Sequence, residues 1–319
     1  RYNTTADQNT AVGALALDGT TTGGSNVTVG NFAGADITSG GYHVLVGHQA
    51  GQKITGANYT VNIGYRASRY NTGAYNTSLG YQALLGVDGS STGTSNVAIG
   101  YNTLKAATTG YGNTAVGAET LDAVTEGFYN IGIGPAAGGS ITTGDYNIAI
   151  GYAAFDAATT AGSTIAIGYA ALSAYTHAEN SFNVAIGTQT AYLKTSGRFN
   201  TYIGGYKVAD ADLTGQYNAY FGSYTNQYGT ATSNTTLIGY QAGRYATGSY
   251  NTFIGAEAGE GGTTGAPYSS GQNNVAVGYQ ALTAFTTAER VVAVGYNAGA
   301  SLTTGGQSVF IGYNAGDAI

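Results

Sequence analysis

Asn113-Thr-Ala-Val-Gly117 is one copy of a five-residue motif, Asn-[Thr/Val/Ile]-x-[Val/Ile]-Gly, that recurs through the whole sequence. Eleven of the seventeen gaps between successive motif glycines are 17 residues, and the others run from 16 to 23. A short fixed period indicates a solenoid, in which each repeat forms one coil and packs on its neighbours. Eighteen copies can be placed, and their glycines are Gly13, Gly30, Gly47, Gly64, Gly80, Gly100, Gly117, Gly134, Gly151, Gly168, Gly187, Gly204, Gly222, Gly239, Gly255, Gly278, Gly295 and Gly312.

The residue types of the motif favour strand over helix. Val, Ile and Thr are β-branched and typical of strands, whereas a glycine in every repeat disfavours helix. We therefore predict an all-β parallel β-solenoid, a flattened β-roll of about 18 coils with roughly 17 residues each. Two short strands and two tight turns are expected in each coil. The prediction places a single repeat domain over residues 1–319, with its 18 repeats running from Gly13 to Gly312.

The residue before the motif glycine is Val, Ile, Leu or Phe in all eighteen copies. Side chains alternate between the two faces of a strand, so this residue shares a face with the one two places earlier. We predict that both point into the core, and that Ile150→Asp consequently unfolds the neighbouring coils. The predicted core ladder contains Val12, Ile99, Val116, Ile133, Ile150, Ile167, Ile186, Ile203 and Ile254.

The position between these two residues is then expected to face outward, yet it is rarely polar. A continuous apolar stripe is larger than the patches that soluble monomers expose, so we interpret it as a lateral interface with other copies of the chain. The alternative is that it forms a second buried layer within the same chain. The predicted interface stripe contains Leu45, Ala98, Ala149, Tyr202, Tyr220, Leu237, Phe253 and Phe310.

The motif Asn predicts a column of side-chain amides. Stacked in register, such amides can hydrogen-bond from coil to coil, as Asn ladders do in cross-β structures. A glycine three residues before the Asn position is expected to close the turn with φ > 0, as at Gly23, Gly40, Gly110, Gly144, Gly215, Gly248 and Gly305. The predicted Asn ladder includes Asn96, Asn113, Asn130, Asn147, Asn183 and Asn200.

The composition excludes several classes of function. Charged residues make up 8% of the chain and the net charge is −6, which argues against binding to nucleic-acid phosphates. No apolar run reaches the ~18 residues of a membrane span. The chain has no Cys, so disulfides and Cys-based metal sites are ruled out.

No catalytic constellation can be assembled from the sequence, and we predict that the protein is not an enzyme and has no catalytic residue. Ser and Thr are abundant, but none has an evident His and carboxylate partner. We predict no cofactor and no metal at His43, His48 or His177. The alternative is that Ca²⁺ binds to carboxylates in or near the turns. The candidate ligands are Asp18, Asp88, Asp145, Asp156, Asp210 and Asp212.

The unit Asn-Thr-Ala-Val-Gly-x-x-x-Leu at 113–121, and Gly-Tyr-Gln-Ala-Leu at 80–84 and 278–282, resemble the head repeats of trimeric autotransporter adhesins. They look closer still to the YadA-like head repeats of phage tail fibres, in a 17-residue variant. The resemblance covers essentially all of residues 1–319. It implies a left-handed parallel β-roll, three chains packed side by side, and binding to host surfaces or matrix.

We expect a non-enzymatic structural protein of an extracellular fibre or filament, located at a cell surface or virion surface. Its expected partner is itself, in a lateral trimer or an end-to-end filament, because no capping segment is evident at either end. One alternative is a trimeric adhesin or tail-fibre fragment that binds host glycan or matrix. Another is a solenoid that binds glycans through Tyr, or ice through the Thr rows at Thr22, Thr109, Thr143, Thr214 and Thr304.

Overall fold

The computed structural model of the chain describes residues 5–262, 265 and 268–317. It is all-β, with eighteen parallel strands about one repeat apart and no helix among the described residues. This confirms the predicted parallel β-solenoid of about 18 coils. The chain forms two compact units, 1–162 and 163–319, which are described separately below. The single repeat domain over 1–319 stays a prediction.

The first unit contains nine strands, which pair in sequence order, parallel and in register, so that Val97 lies beside Thr114 and Ile99 beside Val116. The parallel pairing lets each coil hydrogen-bond to the next through its backbone. The strands are β1 (Thr10–Val12), β2 (Val27–Val29), β3 (Val44–Val46), β4 (Val61–Ile63), β5 (Thr77–Leu79), β6 (Val97–Ile99), β7 (Thr114–Val116), β8 (Ile131–Ile133) and β9 (Ile148–Ile150).

The second unit contains the other nine strands, which also pair in sequence order. A register irregularity between Ile186 and Thr188 lengthens two of them. The strands are β10 (Ile165–Ile167), β11 (Val184–Thr188), β12 (Thr201–Tyr206), β13 (Ala219–Phe221), β14 (Thr236–Ile238), β15 (Thr252–Ile254), β16 (Val275–Val277), β17 (Val292–Val294) and β18 (Val309–Ile311).

Each coil contributes one short strand in the part of the chain that the structure describes, so the prediction of two strands per coil is wrong. The rest of a coil consists of turns, in which residues such as Asn102 and Leu104 adopt left-handed φ angles of 54° and 48°. These turns still bond to the next coil, because Leu104 N donates to Thr120 O at 3.1 Å. Backbone pairing between coils thus continues outside the strands.

The core lies on the face of the strand that carries its middle residue. Ala98, Ala115 and Ala149 are fully buried there, and apolar residues of the turns, such as Leu121 and Val124, are fully buried as well. In these three coils the strand therefore contributes a small side chain to the core.

The predicted orientation of the strands is consequently wrong. The residues assigned to the core ladder lie on the outer face, where they are half-buried or exposed; Val12 is 57% exposed. Their neighbours within one chain cover them only from the sides, because the next coil places the same residue type beside them. This outcome applies to Val12, Ile99, Val116, Ile133, Ile150, Ile167, Ile186, Ile203 and Ile254.

The predicted interface stripe lies inside the chain instead. Seven of its members are fully buried: Leu45, Ala98, Ala149, Tyr202, Tyr220, Leu237 and Phe253. Phe310, in the last strand, is half-buried. The stripe therefore cannot contact another copy, and it is the alternative interpretation, a buried layer of the same chain, that agrees with the structure.

The turn glycines are required for space, and their backbone conformation is ordinary. Of the seven glycines expected to have φ > 0, only Gly305 does, at 88°. At Gly40 and Gly144, a Cβ atom would lie 2.0 and 2.2 Å from a carbonyl oxygen of the next coil. Positive φ is found instead at most of the motif glycines, such as Gly100 with φ 138°.

The predicted Asn ladder is confirmed. In its central part, Asn113 Oδ1 accepts hydrogen bonds from Asn130 N at 2.9 Å and from Asn130 Nδ2 at 3.1 Å. Asn113 Nδ2 donates to Asn96 Oδ1 at 3.2 Å and to Gly127 O at 2.8 Å. Each side chain thus bonds to the coil before it and to the coil after it. The second unit repeats the arrangement, with Asn200 donating to Asn183 Oδ1 through both N and Nδ2 at 3.0 Å.

His43 occupies one ladder position and is buried. Its Nε2 lies 3.0 Å from Ala57 O, which can only accept, so Nε2 carries the proton. Its Nδ1 then accepts the Thr60 hydroxyl at 2.7 Å. This neutral tautomer satisfies both ring nitrogens, whereas a second proton would place a positive charge on a buried ring.

We expect acid to destabilise the protein through His43. Burial lowers the pKa of His43 from 6.5 to about 4. A lowered histidine pKa means that the unfolded state binds the proton first, so stability is lost as the pH falls from about 6.5 to about 4, on the order of 3 kcal/mol in all. His43→Asn restores a ladder amide and should remove this part of the loss. Urea unfolding of both proteins at pH 7.5 and pH 4 measures the difference, and an equal loss in the two proteins would contradict it.

Candidate functional surface: the outer apolar face

The outer face of the sheet carries four alternate residues of each coil, two in the strand and one on either side of it. In the coil of β9, these residues are Tyr146, Ile148, Ile150 and Tyr152. The two tyrosines are 56% and 55% exposed, and the two isoleucines are half-buried. The left-handed conformation of Tyr146, with φ 58°, lets the chain enter the strand with this side chain outward.

The same four positions form four columns in each unit, which we call the outer apolar face. They are the residue before the ladder position, the first and third strand residues, and the residue after the motif glycine. In the first unit these columns contain no Lys, Arg, Asp or Glu, and in the second unit they contain only Arg290. Charged side chains lie at other positions of the coil, as in the ion pair between Lys53 and Asp36 at 3.0 Å.

Aromatic rings stack along both edges of this face. Before the ladder position, Tyr42 and Tyr59 have ring centroids 4.8 Å apart and nearly parallel planes. After the motif glycine, the rings of Tyr65 and Tyr81 are 5.2 Å apart. Each ring within such a stack has its faces covered by its neighbours and presents mainly its edge and hydroxyl outward. Sugar binding through stacking needs an open ring face, so this arrangement favours a structural role for the tyrosines.

The outer apolar face is large enough for a stable protein–protein interface. Each coil advances about 4.8 Å and the four columns span about 20 Å of extended chain, so nine coils present about 900 Å². Stable interfaces bury about 800 Å² on each partner. Their centres are poor in charge and rich in aromatic residues, which is the composition of this face.

The structure provides no preformed metal site among the residues it describes, since no group of three or more His, Asp or Glu side chains converges. Of the predicted Ca²⁺ candidates, Asp212 is fully buried and bonded to protein groups, and Asp145 accepts the Phe128 N–H at 2.9 Å. The predictions of no cofactor and of no enzymatic activity stay predictions. No helix long and apolar enough to cross a bilayer occurs in the described ranges.

The Thr rows considered for ice binding lie on the surface. Thr22, Thr109, Thr143 and Thr214 are all exposed, as is Thr304. The row is interrupted by Glu126, which occupies the equivalent exposed position between Thr109 and Thr143. Ice binding and glycan binding stay predictions.

Sequence reasoning missed a buried ion pair in the second unit. Lys194 Nζ lies 3.7 Å from Asp212 Oδ2, and both side chains are 0% exposed. Lys194 follows its motif glycine by seven residues and Asp212 follows its own by eight. Other coils place buried apolar residues such as Ile54 and Val124 at this position. A charged residue within that mainly apolar column was the available signal.

No protein-family model matches the chain, and no curated protein matches it. The resemblance to adhesin and tail-fibre head repeats therefore stays a prediction. What the protein does has to follow from its fold and from the chemistry of the outer apolar face.

Proposed function

We propose that this protein is a structural, non-enzymatic subunit of an extracellular fibre at a cell or virion surface, and that it assembles with copies of itself through the outer apolar face. The observation that carries the proposal is the set of columns in the first unit that contain no Lys, Arg, Asp or Glu and in which Val, Ile and Tyr are the commonest residues. Water contact with so much apolar surface is unfavourable at about 25 cal/mol per Å², and a second copy removes it.

Side-by-side packing of copies fits the chemistry of this face better than packing against a different partner does. All four columns repeat with the same period, so an identical chain presents matching ridges and grooves along its whole length. The expected assembly is three chains side by side, as in the adhesin heads that the sequence resembles. A long filament formed by end-to-end stacking is the alternative, and host glycan or matrix is the proposed target of the assembled fibre.

We expect two lysines on the outer apolar face to dissociate the assembly. Ile131 is exposed and Ile148 is half-buried, so Ile131→Lys with Ile148→Lys places like charges at the interface without burying them in the chain. Sedimentation velocity should give an oligomer for the parent and a monomer for the variant, with the folded circular-dichroism spectrum retained.

The matched control adds the same charge elsewhere on the coils. Thr109→Lys with Thr143→Lys changes exposed positions equivalent to Glu126, where the chain already accepts a charge. This control should stay oligomeric. A monomeric parent would overturn lateral assembly, and electron micrographs of long threads from the Ile131→Lys, Ile148→Lys variant would favour end-to-end stacking instead.

A further inference from the structure

The buried pair of Lys194 and Asp212 is held in an unusual set of hydrogen bonds. The two residues are one coil apart, and their Nζ and Oδ2 atoms are separated by 3.7 Å. Nζ donates to Gly215 O at 2.7 Å, which holds the amine beside the carboxyl group. The two carboxyl oxygens have different donors: Gly215 N binds Oδ1 at 2.9 Å, and the Tyr202 hydroxyl binds Oδ2 at 2.8 Å.

These contacts match what amide formation requires. A nucleophilic amine must be kept close to a carbonyl carbon, and a fixed N–H donor must lie where negative charge develops on oxygen. Gly215 N–H supplies that donor for Oδ1. The leaving oxygen needs a proton donor, and the Tyr202 hydroxyl already donates to Oδ2.

We propose that Lys194 and Asp212 condense into an intramolecular amide bond that links adjacent coils of the second unit. Lys194 Nζ attacks Asp212 Cγ, the Nζ–Cγ bond forms, and the Cγ–Oδ2 bond breaks. Oδ2 leaves as one water molecule, which carries the acid proton of the neutral Asp212 carboxyl group and one hydrogen lost by the neutral Nζ amine, and Tyr202 relays a proton to it. No oxidant, reductant or co-reactant is consumed. In the product, Nζ–H still donates to Gly215 O and Oδ1 still accepts from Gly215 N.

The environment favours the reactants in their neutral forms. Burial lowers the pKa of Lys194 and raises the pKa of Asp212, and in each case it outweighs the opposing attraction of the partner. Burial also raises the pKa of Tyr202 well above 10, so its hydroxyl stays a proton donor. An ion pair that is fully desolvated is costly, whereas an amide carries no charge. Condensation therefore leaves a group that cannot ionise at this buried site, and it keeps the surrounding hydrogen bonds.

The mass of the full chain tests this proposal directly. The parent protein should weigh about 18 Da less than its sequence, the mass of one water. After denaturation and trypsin digestion, cleavage after Lys194 should fail, and peptide 106–198 should appear joined to peptide 208–244. A parent with the full sequence mass, or a lighter parent whose digest releases 195–198 and an unlinked 208–244, would overturn the proposal.

Two variants separate the bond from a simple ion pair. Lys194→Arg keeps the positive charge but offers a guanidinium in place of the amine, so its mass should equal its sequence mass. Tyr202→Phe keeps the buried ring and removes only the proton donor, so linkage should form more slowly during incubation of freshly purified protein. If Tyr202→Phe links as fast as the parent, the assigned role of Tyr202 is wrong; the digest of the parent still decides whether the bond exists.

Discussion

Ala149→Asp should unfold the coils around β9, with a loss of roughly 3–5 kcal/mol or failure to fold at all. Ala149 is the middle residue of its strand and is fully buried. A carboxylate there has no cation to pair with and must also enter a filled interior, which adds strain. Urea unfolding followed by circular dichroism measures the loss, and the concentration of each protein has to be equal because self-association adds to stability.

The neighbouring substitution is the matched control. Ile150→Asp introduces the same side chain one residue later, on the outer apolar face, where Ile150 is half-buried. Its cost to the folding of one chain should be about 1 kcal/mol, since the carboxylate keeps access to water. The orientation of the strands predicted from the sequence demands the reverse order of effects. If Ile150→Asp unfolds the protein and Ala149→Asp is tolerated, the orientation described above is wrong.

The positions of the strands could be predicted from the sequence, whereas their orientation could not be read from alternation alone. Sixteen of the eighteen strands end at the residue before a motif glycine, and only β11 and β12 run further. Alternation tells which residues share a face and leaves open which face is buried. Both faces of this strand are apolar, and side-chain size does not separate them, because the buried middle position holds Ala149 in one coil and Tyr202 or Phe253 in others.

A signal for the correct orientation was present in the phase of the ladder. Asn147 is two residues from Ala149 and therefore shares its face. Tyr146 and Tyr152 are an even number of residues from Ile150 and share the opposite face. A ladder of amides gains most when it is shielded from water, so its phase marks the buried face. The buried ion pair could not be found in this way, because Lys194 and Asp212 meet only through the stacking of coils, and the extra residue at Gly204-Gly205 shifts the repeat between them.

Asn113→Ala should cost about 3 kcal/mol, because it leaves two buried backbone groups of the next coil without their partners, at roughly 1–3 kcal/mol each. The Asn130 N–H loses the Asn113 Oδ1 acceptor, and Gly127 O loses the Asn113 Nδ2 donor. No water reaches either group, since Asn113 and Asn130 are both fully buried. Thr38→Ala is the control: Thr38 Oγ1 also donates to the backbone of another coil, Thr55 O at 3.2 Å, but at an exposed site outside the outer apolar face where water replaces it, so its loss should stay below about 1 kcal/mol. Equal losses in urea unfolding would mean that the ladder adds nothing beyond an ordinary surface hydrogen bond, whereas the expected gap identifies it as the element that holds successive coils in register.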